Sequence, residues 1–179
     1  MARIPPLEPA DADDATRAEM QRIVDTHGRI TNMKRTLAHS PAALQGLMAW
    51  YPLRDQVASF LGERATNLFV HAVSTASDCL ICSTFFRRIL AESGDDPDRL
   101  SLDEREQAVV EFGRQLVRDA NQVTDKLYGR LEGFLSASQI VELTVLGGLM
   151  IATNILNNAL QVDLDEYLEP YRRRVEARR

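Results

Sequence analysis

Cysteine is nearly missing from this chain of 179 residues: it has two. That leaves too few thiols for a closed four-cysteine zinc site. The three histidines, His27, His39 and His71, show no paired ligand spacing that would complete one. There is no glycine-rich phosphate loop, so neither a metal nor another cofactor is expected. No stretch alternates apolar and polar residues for long enough to read as a strand. Long hydrophobic runs are absent too. The most apolar segment, 143–152, is too short for a bilayer and meets Thr153 and Asn154 at once. The first twenty residues carry Pro5, Pro6 and Pro9 but no apolar stretch, so no secretory signal is read there. The expected setting is the cytoplasm, with no membrane partner. In that reducing compartment a close cysteine pair points to catalysis, redox chemistry or metal binding before it points to a structural staple.

What is present is ordinary for a globular protein: 45% hydrophobic and 26% charged residues, with a net charge of -5. That length suits one domain with a sizeable core. An acidic balance argues against nucleic acid as a partner. The basic stretch 171–179 reads as a solvated helix end, with cations favoured at the negative end of the helix dipole.

The chain reads as helix after helix, with glycine and proline at the joints. Residues 1–10 form a proline-rich arm. From 11 to 27, Ala15, Ala18, Met20, Ile23 and Val24 fall at helical spacing, and Gly28 stops the run. A polar connector follows. Ser40 and Pro41 read as the N-cap and first residue of a helix running through Leu44, Leu47 and Met48 and past Trp50. Pro52 then breaks or kinks it. Further helices are expected over 62–76, through the cysteines to Glu92, and over 101–121, 123–134, 136–160 and 165–175. Ser101 with Glu104, and Ser136 with Gln139, read as capping boxes. In 136–160 the polar intrusions include Glu142, Thr144, Thr153 and Asn154. A helix this apolar belongs at the centre of a bundle or in an oligomer interface. The expectation is an all-α chain of about seven to eight helices.

The two cysteines stand three apart, in Asp78-Cys79-Leu80-Ile81-Cys82. Thiols one helical turn apart can close a disulfide or share a proton. With Ser77 or Asp78 as N-cap, the first-turn amides and the helix dipole favour a thiolate. Both side chains also suit a small apolar core position. Upstream, Glu63, Asn67 and His71 are spaced by four and share one helix face. If that face meets the thiols, His71 is the natural proton donor or acceptor. A half-buried His bonded to a backbone carbonyl fits the same spacing.

The run Thr36-Leu37-Ala38-His39-Ser40-Pro41-Ala42-Ala43-Leu44, the lead-in Ala72-Val73-Ser74-Thr75-Ala76-Ser77 before the cysteines, and the late Asn154-Ile155-Leu156-Asn157-Asn158-Ala159-Leu160 resemble one family. It is the carboxymuconolactone decarboxylase and alkyl hydroperoxidase D (AhpD-like) superfamily. The resemblance covers most of the chain. It implies an arm and first helix over 1–33 and an AhpD-like helical domain over 34–179, in one compact body. It also implies a homo-oligomer, such as a trimer. In the redox branch the motif is a glutamate, eleven residues, C-x-x-C, three residues and a histidine. Carried over, Cys82 would attack peroxide and Cys79 would resolve the intermediate. Asn67 stands in the glutamate's place and Phe86 in the histidine's, so the family's proton relay is broken on both sides. His71, one turn from Asn67, is the candidate to replace it.

Three readings follow. The first is a thiol peroxidase or disulfide reductase using Cys79 and Cys82, served by a thiol reductant protein. The second is a non-redox lyase, decarboxylase or isomerase acting on a small organic acid. There His71 and Glu63 would move protons, and Arg64 or Arg87 would pair the carboxylate. The third is a non-catalytic member that keeps the scaffold.

Overall fold

The computed structural model describes residues 2–48 and 51–173. The expected continuation of a helix through Trp50, and the basic tail beyond Arg173, lie outside them. Among the described residues there are nine α-helices and no strand: α1 Asp14–His27, α2 Asn32–Leu37, α3 Pro41–Met48, α4 Tyr51–Leu61, α5 Glu63–Ala76, α6 Leu80–Glu92, α7 Glu104–Asp119, α8 Asp125–Glu132 and α9 Ala137–Leu160. A 3₁₀ segment, Glu166–Tyr171, follows α9. It replaces the helix expected over 165–175. Pro170 lies inside it and lacks the amide that an α-helix would use.

Local chemistry sets most boundaries. Asp13 caps α1, and Gly28 ends it at φ 75°, with its amide donating to Val24 O at 2.7 Å. Ser40 Oγ accepts from the Ala43 amide at the start of α3, as its position before Pro41 implied. Helix runs on through Pro52 to Leu61. That proline sits in the first turn of α4, where no amide is required. The connector after Gly28 folds as α2, capped by Thr31.

The Ser101 capping box is corrected. Asp103 is the N-cap of α7, with Oδ1 accepting from the Glu106 amide at 2.8 Å while Glu106 Oε2 accepts from the Asp103 amide at 3.0 Å. Glu106 also pairs with Arg64, whose Nη2 donates to the Ser101 carbonyl at 3.0 Å. The box at Ser136 and Gln139 forms as expected, with reciprocal bonds of 3.3 and 2.8 Å.

α5 is the central rod. It packs on α4, α6, α7 and α9, and Phe69 at its middle is wholly buried, stacked 6.3 Å from Phe112 of α7. Gly113 and Gly147 let α7 and α9 close on that ring. A second cluster, with Met20, Ile23, Met33, Leu37 and Leu44, joins α1–α3 and is met by Leu156 of α9. The arm lies against the end of α9, with the Arg3 amide donating to Leu160 O at 2.9 Å.

α9 takes the span expected over 136–160. By length and composition its 24 residues would satisfy a membrane span, with mean hydropathy 1.6 over its most apolar 18-residue window. One side faces the core through Leu143, Leu146 and Met150. The opposite side leaves Val141, Val145 and Ile155 exposed.

Candidate functional site

The corner between α5 and α6 places the thiols. The Cys79 amide donates back to Ser74 O at 3.1 Å. Asp78 takes φ 51°, a left-handed conformation that Asp tolerates better than most residues. The reversal makes Cys79 itself the N-cap of α6, where Ser77 or Asp78 was expected. Cys82 is therefore in the first helical turn.

Both cysteines are free and buried, 1% and 6% exposed. Asn157, reaching across from α9, donates its Nδ2 to Cys82 Sγ at 3.3 Å and, more weakly, to Cys79 Sγ at 3.9 Å. Asn158 fixes the same corner by donating to Ser77 O at 2.9 Å. Cys79 makes no capping bond of standard geometry. Even so, its pKa is lowered to about 7. The hydrogen bond from Cys82 is the largest cause, followed, against burial, by the Cys82 amide, the Asn157 amide group and the Ile81 amide. Cys82 is pushed well up, first by donating to Cys79 and then by burial. The pair thus shares one proton, with negative charge favoured on Cys79. Two neighbouring sulfurs that share the Asn157 donor hold a single charge better than either holds it alone.

Cys82, not Cys79, opens onto a cavity of about 520 Å³. α6 contributes Phe85, Phe86 and Arg88; α5 contributes Asn67; α2 and α4 contribute Lys34, Tyr51 and Arg54. Asp165 and Tyr167, beyond α9, close the far wall. Tyr51 is pushed up to about 12, chiefly by burial. Asp165 accepts from the Asn32 amide at 2.9 Å, and burial raises its pKa.

The expected site is brought together in part. Cys82, Asn67 and Phe86 share the cavity, and Cys79 lies directly behind Cys82. Asn67 Oδ1 accepts from Arg54 at 3.2 Å, and Arg54 also pairs with Glu63. Glu63 is held outside the cavity. His71 is not near the thiols. It lines a separate cavity of about 590 Å³, against the face of α6 that carries Leu80, Thr84 and Arg87. Its pKa falls to about 4 through burial, then the charges of Arg87, Arg114 and Arg173, with Asp98 opposing. The reason is angular: four residues turn a helix through slightly more than a full circle, and Asn67 and His71 straddle the edge between two grooves. Arg64 pairs with Asp95 and Glu106, and Arg87 with Asp98. Neither guanidinium lines the thiol cavity. Among the described residues, no group of three or more His, Cys, Asp or Glu side chains lies together.

Asn157, Lys34, Tyr51 and Asp165 were not singled out in the sequence. Asn157 had a signal, an amide within an apolar helix and within the run Asn154–Leu160 that carries the family resemblance. The others are set only by how α2, α4 and the segment after α9 pack.

No family model matches the chain, and no curated protein matches it. Solved structures do. A peroxidase-related protein with an alkylhydroperoxidase AhpD core, from Ralstonia eutropha JMP134, aligns with TM-score 0.75 at 18% identity, over 93% of this chain and 94% of its own. The chain has the AhpD-like fold. A second match is a peroxidase-related protein from Silicibacter sp. TM1040, with TM-score 0.72 at 18% identity, over 93% and 94% of the two chains. A debrominase aligns with TM-score 0.75 at 15% identity, over 94% and 95%. A variant of that debrominase has been solved in complex with 2,3,4-tribromopyrrole.

Proposed function

We propose that this AhpD-like protein is a thiol-dependent oxidoreductase in which Cys82 attacks the substrate and Cys79 closes the disulfide. The observation that carries this is the shared Asn157 amide over two free sulfurs, one of which opens onto the cavity. The sulfur pair itself supplies the proton handling that Asn67 and Phe86 cannot. Cys82 passes its proton to the Cys79 thiolate and becomes the nucleophile. With a hydroperoxide, Cys82 sulfur bonds to the terminal oxygen and the O–O bond breaks. The alkoxide leaves with the electron pair and takes the proton from Cys79. Cys79, again a thiolate, then attacks the sulfenic sulfur, the S–O bond breaks, and hydroxide leaves to solvent, where one proton from the buffer makes it water. Two thiols have been oxidised to a disulfide and the peroxide reduced to alcohol and water. An external dithiol, available in a reducing cytoplasm, returns the two electrons.

A second substrate is favoured by the cavity. A volume of about 520 Å³ walled by Tyr51, Phe85, Phe86 and Tyr167 is far larger than a small peroxide needs and suits an organic ring. Reductive loss of halogen from such a ring uses the same two thiols: carbon–halogen becomes carbon–hydrogen, halide leaves, and the disulfide forms. The debrominase likeness supports this alternative. A non-redox lyase is less supported, because His71, Arg64 and Arg87 lie outside the thiol cavity and both arginines are held in ion pairs.

Copies of the chain are proposed to associate through the exposed side of α9. The discriminating test is turnover of cumene hydroperoxide and of a bromophenol with a dithiol reductant, in the wild type and Cys82→Ser. Activity on either substrate that is lost in Cys82→Ser supports the proposal. Activity retained in Cys82→Ser contradicts it.

A further inference from the structure

Lys34 is an unpaired cation in the wall of the thiol cavity. It is 6% exposed, yet it lines the cavity, and among the described residues no carboxylate pairs with it. Its ammonium lies 5.0 Å from the centre of the Tyr51 ring, and that is its favourable contact. Its pKa is lowered by desolvation alone, so no neighbouring anion offsets the burial. His27 on α1 feels it as a repelling charge. An ammonium largely withdrawn from water without an anion costs stability.

The rest of the wall repeats the imbalance. Arg29, Arg54 and Arg88 line the same space, against Asp165 as the carboxylate. Arg54 and Arg88 are taken up by Glu63 and Glu92. Arg29 stacks 4.1 Å from the Tyr167 ring and makes no ion pair among the described residues. Burial raises the pKa of Asp165, which weakens it as a counter-charge. The empty place in this charge pattern is an oxyanion beside Lys34. An ammonium is a compact point charge that suits a single oxyanion, and the aromatic rings around it suit a flat body.

We propose that Lys34 anchors the oxyanion of a small aromatic substrate, a carboxylate or a phenolate, and so presents its ring to Cys82. The proposal rests on the thiol-cavity reading above and adds to it the charge of the substrate and the residue that recognises it. It also accounts for a side chain that costs the fold stability: the unpaired charge is completed when the substrate enters.

The test is equilibrium binding to the reduced full-length protein at pH 8, with benzoate, 4-nitrophenolate and the neutral benzamide as probes. At least one of the two anions is expected to bind ten times or more tighter than benzamide, and the tighter one tells carboxylate from phenolate. Lys34→Met is expected to abolish that preference and Lys34→Arg to keep part of it. Without ligand, Lys34→Met is expected to melt at a higher temperature than the wild type, which a purely structural lysine would not allow. Equal binding of benzamide and both anions to the wild type, or an undiminished anion preference in Lys34→Met, overturns the proposal. If Lys34→Met fails to fold, the charge is not unpaired, and that also counts against it. The binding is reversible and needs no turnover by sulfur, so it can succeed where the redox reading fails, and the reverse.

Discussion

Asn157 gives one amide group to two sulfurs, so its removal should be read out in their titration. Titrating wild-type thiolate absorbance is expected to show a midpoint near the value of about 7 at Cys79. In Asn157→Leu the midpoint should move up, because a donor to the charged form is gone. An unmoved midpoint would mean that Asn157 does not hold the charge. His71 makes a separate prediction. Its folded pKa of about 4 lies below the ordinary 6.5, so the unfolded chain takes up the proton first. Stability is therefore lost as pH falls from about 6.5 towards 4. Linkage puts the loss at roughly 3 kcal/mol as an upper bound, and solvent in the open groove should reduce it to about 1–2 kcal/mol. Urea unfolding at pH 7.5 and 4.5 should show a smaller drop in His71→Leu than in the wild type. An equal drop would place the cost elsewhere. At this scale the cysteine pair was legible, since three-residue spacing survives any packing. The partner of the pair was not, because whether His71 or Asn157 meets the sulfurs depends on the roll of α5 and α9 about their axes.

Helix ends and crossings carry the next tests. Asp103, not Ser101, holds the first amides of α7. Asp103→Ala should cost about 1 kcal/mol in urea unfolding and Ser101→Ala nearly nothing; equal costs would restore the other cap. A Cβ on Gly147 would meet Leu116 Cδ1 at 2.5 Å and Phe69 Cζ at 3.2 Å, whereas on Gly148 it would meet nothing within 4 Å. Gly147→Ala should therefore destabilise by about 1–3 kcal/mol. Gly148→Ala should stabilise by roughly 0.5–1 kcal/mol, since alanine is the better helix former. Most elements were legible because caps and glycine stops are local. Ser101 and Asp103 each precede a glutamate by three residues, and local spacing does not rank them. The choice falls to Arg64, which binds Glu106 and the Ser101 carbonyl. α2 and α4 were missed for a related reason. α2 has only six residues, and Pro52 reads as a breaker unless it is known to be a first-turn residue.

For the whole molecule, the AhpD-like fold was legible from the family resemblance and the order of the helices. The cavity was not, because its walls come from α2, α4, α5, α6, α9 and the segment after α9, and no local pattern records how they converge. The exposed Val141, Val145 and Ile155 on α9 give the assembly its test. Val145→Glu should shift the protein to a smaller species by light scattering, and an unchanged mass would move the interface elsewhere. Everything proposed about chemistry depends on two sulfurs that are buried, unpaired and close enough to share a donor. Intact mass with free-thiol counting at pH 7, before and after mild peroxide, addresses that directly. The account expects the loss of two hydrogens and of both free thiols, reversed by dithiothreitol and absent in Cys82→Ser. Two free thiols surviving millimolar peroxide would contradict it.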